Sequence, residues 1–175
     1  MGLLTILPKT IASLGKLTSK QTEGVFYTYL YGFLYGYSIK NIQFIAKQII
    51  LETGWGGSEL LNKNNNLFGM SCTNSLNSFQ SGCSLLSDGN TNAKYKTLKQ
   101  SVKDRYTWDR ERFNTPYELR QTTEYPEAVS SRYFPQSPIS YLENVSNIHF
   151  NFFPIFLIFI TIIPLELFLL FKIIK

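Results

Sequence analysis

The stretch IAKQIILETGWGGSELLNKNNNLFGMS, residues 45–71, decides how this chain is read. It continues an amphipathic helix for which Asn41 is placed as the N-cap, with Ile42, Ile45, Ile49 and Ile50 recurring at helical spacing as an apolar stripe. Glu52 arrives at the end of the stripe, and Gly54, Gly56 and Gly57 stop the helix behind it. Ser58 caps a short third helix through Leu61, and Asn64-Asn65-Asn66 predict a turn ahead of Leu67 and Phe68. A carboxyl in that position lies against aliphatic and aromatic carbon. Desolvation disfavours its charged form and raises its pKa, leaving a proton donor near neutrality. Glycosidic cleavage needs such a donor, because the leaving alkoxide is too basic to depart unassisted while the sugar acquires oxocarbenium character.

Outward from this stretch the pattern is mostly helical. Residues 22–37 place Phe26, Tyr27, Tyr29, Leu30, Phe33, Leu34 and Tyr37 at spacings that put several on one helical face, the signature of a core-packing helix. Residues 71–93 are rich in Ser, Asn, Gly and Thr and predict a loop or small hairpin. Helical character returns over 98–113, from Tyr117 and over 140–148, with prolines at 116, 126, 135 and 138 between. The expectation is a mainly α (α+β) domain with one irregular lobe. Cys72 and Cys83 fall in that lobe, where either a short disulfide or two free thiols fits. The single histidine, His149, is remote from both, so no zinc site and no cofactor is expected.

The two ends differ from the middle. The N-terminal residues lack the basic leader and cleavage site of a secretory signal. At the other end, 150–171 is almost wholly apolar and as a helix would extend ~33 Å, against ~30 Å of bilayer hydrocarbon. Glu166 within it is costly in lipid, which leaves an interfacial or oligomer-buried helix as the alternative to a span. Lys172 and Lys175 favour the interior side for the C-terminus of a spanning helix. The chain is therefore divided into an N-terminal extension (1–21), one domain (22–148) and a membrane anchor (149–175). The net charge of +5 is thinly spread: it suits an anionic polymer only weakly, and no nucleic-acid partner is expected.

Glu52-Thr53-Gly54-Trp55-Gly56-Gly57-Ser58 followed by Asn66-Leu67-Phe68-Gly69 resembles the signature of the peptidoglycan endo-β-N-acetylglucosaminidases of glycoside hydrolase family seventy-three. Tyr95 to Asp104 is similar to that family's tyrosine and Ser-hydrophobic-x-Asp helix start, and Tyr133 to Tyr141 to its tyrosine-containing turn, here without the usual aspartate. The resemblance covers about residues 22–148. It implies a lysozyme-like, two-lobe domain in which Glu52 is the general acid, and it implies peptidoglycan glycan strands as substrate.

By the same resemblance Tyr133 lies near the scissile bond, or else packs in the core; Trp55, Asn66, Phe68 and Tyr95 are its candidate substrate-side residues, with Trp55 and Phe68 also serving as packing. The resemblance puts a second acid in the small lobe. Asp88 is the acidic residue between Glu59 and Asp104, and it reads equally as an Asp-Gly turn residue. An inverting route through water and assistance by the substrate's N-acetyl group both stay open. A lytic transglycosylase is the competing enzyme, and a non-catalytic wall-binding or virion structural protein the competing class. The expected setting is a bacterial envelope or a membrane-containing virion, with bilayer contact through 150–171, the catalytic domain on the wall-facing side, and membrane or virion proteins as further partners.

Overall fold

Thr18 begins the fold by forming a capping box with Gln21, so α1 (Ser19–Leu34) starts ahead of Thr22, where the aromatic pattern begins. The computed structural model describes residues 17–54, 58–72, 77–85, 89 and 91–150. α1 ends before Tyr37, because the chain turns through Gly36 at φ +68°. α2 (Ile39–Thr53) is capped by Ser38 rather than by Asn41: the Ser38 hydroxyl accepts the Asn41 backbone N–H. Asn41 instead sends its side-chain amide to the carbonyls of Arg120 and Thr122, both at 2.8 Å. Gly54 then stops α2 in the left-handed conformation at φ 52°, as its place after Glu52 implies.

The core lies where α1, α2 and α4 (Leu98–Thr107) meet. Val25, Tyr29, Ile42, Ile45, Ile49, Leu67, Phe68, Val102 and Tyr106 are all completely buried there. Gly24 lets α1 lie directly on Leu67, since a Cβ at that position would come within 2.7 Å of its side chain. Phe33 and Leu34 depart from the expected core face and are exposed at the end of α1.

α4 runs into a π-helical turn, Trp108–Arg112. Asp109 in that turn is fully buried and accepts hydrogen bonds from Tyr37 Oη at 2.6 Å, Tyr125 Oη at 2.8 Å and Thr115 Oγ1 at 2.8 Å. It thereby joins four segments. α5 (Tyr117–Gln121), α6 (Tyr125–Tyr133) and α7 (Pro138–Ser146) complete the helical lobe, with α7 packed on both α6 and α2.

The short α3 (Glu59–Asn64) leads through Asn65, in the left-handed conformation, to the smaller lobe. There β1 (Gly82–Leu85) and β2 (Thr91–Lys94) form an antiparallel hairpin with Cys83 opposite Ala93. Cys72 and Cys83 form a disulfide, with Cα atoms 5.6 Å apart, which decides between the two cysteine readings. The architecture is mainly helical with a small two-stranded sheet, as an α+β lysozyme-like domain requires. Among the described residues no helix is long and apolar enough to cross a membrane. The anchor expected over 150–171 lies, except for Phe150, outside them.

Candidate active site

Glu52 occupies the last turn of α2, on the face turned toward α6 and α7. Its Oε1 accepts a hydrogen bond from Tyr141 Oη at 2.9 Å. Its Oε2 lies against Gly69, where a Cβ would come within 2.9 Å of that oxygen. Gly69 also holds φ +63°, so the position needs a residue with no side chain for two independent reasons. Burial pushes the Glu52 carboxyl from the ordinary 4.5 up to about 7, against the opposing pull of the Tyr141 hydrogen bond and the Arg105 charge. Near neutrality this side chain therefore keeps its proton in a large fraction of molecules.

One turn back on the same face, Gln48 is wholly buried. Its Nε2 donates to Tyr141 Oη at 3.1 Å, and its Oε1 accepts from Arg105 Nη2 at 3.0 Å. Arg105, also fully buried, has its guanidinium carbon 4.9 Å from the Trp108 ring centre and 5.4 Å from that of Tyr133, where ring faces attract the cation. Tyr133 in turn packs on Tyr141 with ring centres 5.4 Å apart. The Tyr133 hydroxyl is buried without a hydrogen-bond partner among the described residues.

A cleft of about 890 Å³ opens beside this group. Gly69, Met70 and Ser71 form one side of it, and Trp108, Phe113 and Tyr133 the other. Glu52 sits just behind this lining, touching it through Gly69. Asp104 lines the cleft as well, but its carboxylate is fully engaged: Tyr95 Oη and Asn77 Nδ2 donate at 2.6 Å and Gln80 Nε2 at 3.0 Å. It anchors the 77–80 loop, a structural role. No group of His, Cys, Asp and Glu suited to a metal ion occurs among the described residues.

A family profile for glucosaminidases, described as mannosyl-glycoprotein endo-β-N-acetylglucosaminidase, matches residues 35–148, well over half of the chain. The chain belongs to this family. It is accordingly a glycoside hydrolase of the endo-β-N-acetylglucosaminidase class. Neither the curated proteins nor the solved structures gave a match.

In this glucosaminidase the residues singled out from sequence separate into three groups. Glu52 and Tyr133 are brought together around Tyr141, and Tyr133 reaches the cleft. Asn66 and Tyr95, expected on the substrate side, are placed in the interior instead, and Phe68 takes the packing role that was its other reading. Asn66 is fully buried and spends its amide on its own turn, donating to the Met70 and Ala93 carbonyls and accepting from the Phe68 and Met70 N–H groups. Phe68 is wholly enclosed by the core, and Tyr95 turns its hydroxyl onto Asp104. Trp55 and Asp88 lie outside the described residues. The sequence reading missed Gln48 and Arg105. Gln48 carried a signal, since it precedes Glu52 by one helical turn, whereas nothing local marks Arg105.

Proposed function

We propose that this glucosaminidase cleaves the β-1,4 glycosidic bonds of peptidoglycan strands with Glu52 as general acid. The observation that carries the reading is a carboxyl with its pKa raised to about 7 by burial, set behind a cleft of about 890 Å³. Glu52 gives its proton to the glycosidic oxygen as the C–O bond breaks, and the electron pair leaves with the departing sugar. Tyr133, whose hydroxyl has no hydrogen-bond partner among the described residues, holds the sugar or the incoming water at the reacting carbon. Water completes the hydrolysis, either activated by Asp88 or following attack by the substrate's own N-acetyl oxygen.

The test is clearing of purified peptidoglycan by the whole chain, with the products analysed for their reducing ends. N-acetylglucosamine ends are expected, and anhydro-muramoyl ends would assign a lytic transglycosylase instead. Glu52→Gln keeps the side-chain shape but has no acidic proton, and should lower the rate by about 10³-fold or more. Full activity in that variant would overturn the reading.

Residues 150–171 support a second element of the proposal: the catalytic domain is tethered to a bilayer on the wall-facing side of a bacterial envelope or of a membrane-containing virion. The whole chain should float with liposomes, and the chain ended at His149 should not. Equal flotation of the two, or none by either, would remove the tether.

A further inference from the structure

Four side chains behind the cleft form a hydrogen-bond chain whose direction is fixed by chemistry alone. A guanidinium only donates, so the Gln48 atom facing Arg105 Nη2 must be the amide oxygen. The Gln48 NH2 group therefore faces Tyr141 and donates to its oxygen. Tyr141 has one proton, and with its oxygen already receiving that bond, the proton points to Glu52 Oε1. A carboxyl oxygen that accepts there is the carbonyl-type oxygen of the acid. The carbonyl oxygen being the better acceptor of the two, this arrangement assigns the proton to Oε2, the oxygen resting against the cleft-lining Gly69.

We infer that Arg105 and Gln48 are positioning residues which, acting through Tyr141, keep the transferable proton of Glu52 on its cleft-side oxygen. Neither touches the sugar. The inference rests on Glu52 being the proton donor proposed above. Among the described residues the charged and titratable groups that face Glu52 are Tyr141 from α7, Tyr133 from α6 and Arg105 from α4, while Gly69 contributes none. Asp109, with Tyr37 and Tyr125 bonded to it, lies on the Arg105 side of the chain.

The informative variant is Gln48→Glu, which is nearly the same shape and forms an ion pair with Arg105. It reverses the chain: a carboxylate cannot donate, so Tyr141 turns its proton to residue 48, and Glu52 can bond Tyr141 only by moving its own proton to Oε1. The expected result is a folded protein with KM held within about twofold and kcat lowered by about tenfold or more. The alkaline limb of the kcat/KM profile should move up by about one pH unit, because Glu52 loses a hydrogen bond to its charged form and the nearby cation is neutralised. The limb shift follows from the added charge alone, whereas the fall in kcat with KM held is the readout that a purely structural role would not give.

A wild-type measurement serves even if the variant does not fold. In atomic-resolution crystals grown below pH 7, the longer C–O bond of Glu52 should be at Oε2. A longer bond at Oε1, or a folded Gln48→Glu protein with unchanged kcat and pH profile, overturns the inference. Glu52→Gln run in parallel separates the two levels. If it stays active, the acid assignment falls; if it is inactive while Gln48→Glu behaves as wild type, only the chain falls.

Discussion

Where α2 packs against α1 and α4, the buried side chains are Ile42, Ile45, Ile49, Val25 and Val102, interchangeable carbon contributed by long elements. Where the hairpin meets the Asn66 turn, the buried set includes Asn64, Asn66, Gln80, Asn92 and Asp104, each meeting a particular partner. The two lobes face one cleft, and the helical one joins its hydrocarbon to buried polar contacts of its own at Gln48, Arg105 and Asp109, whereas the smaller one leans mainly on its polar bonds. Burial of hydrocarbon is spread over many contacts and tolerates the loss of one. A small hydrogen-bonded lobe with a four-residue hairpin and one disulfide depends on a few bonds, none of which has a substitute. Glu52 belongs to the helical lobe, and the Asp104-anchored 77–80 loop of the cleft to the smaller one.

The comparison can be broken most severely at Asp104. Asp104→Ala strands the Tyr95, Asn77 and Gln80 donors, and should cost about 4 kcal/mol in denaturant unfolding. Its effect should concentrate in the smaller lobe; uniform loosening of α2 as well would erase the distinction. Removal of the disulfide through Cys72→Ser comes next, at about 3 kcal/mol for a loop of this size. Hydrogen exchange should accelerate at 82–94 while the α2 amides keep their protection.

The pH dependence sharpens the contrast from the other side. Between the unfolded carboxyl value of 4.5 and the folded value of about 7, the native state binds a proton that the unfolded chain has lost. Stability from Glu52 is therefore complete below the lower value and declines as pH rises to the upper one, by about 2 kcal/mol once residual solvation is discounted. In Glu52→Gln that slope should vanish, which thermal melts across the range would register. The smallest effect is expected from Gly69→Ala, at about 1 kcal/mol for the left-handed backbone. Its loss of activity should exceed its loss of stability, because the added methyl group meets Oε2; equal losses would mean that the turn does not position the acid.

Glu52 and its helix were legible because an apolar stripe that ends in a carboxyl and three glycines is a local pattern. The core helices were legible for the same reason, although the caps at Thr18 and Ser38 moved their boundaries. Asn66 reads as a turn residue, but the resemblance offers its amide to substrate, whereas that amide closes the buried turn around the Met70 and Ala93 carbonyls. Arg105 pairs with Gln48 across 57 positions, and Asp109 with Tyr37 across 72. No window of sequence contains both members of either pair, so composition and periodicity have no access to them. The disulfide lay between the two cases: its residues were visible, its formation was not.

The hydroxyl that bonds Glu52 lies 89 residues further along the chain, and Tyr133 comes from the neighbouring helix of the same late segment. A ribosome that has finished α2 but not α7 has thus produced a glutamate in open water, ionised like any other. The environment that sets the protonation of Glu52 is therefore complete only when the last two described helices have packed against it.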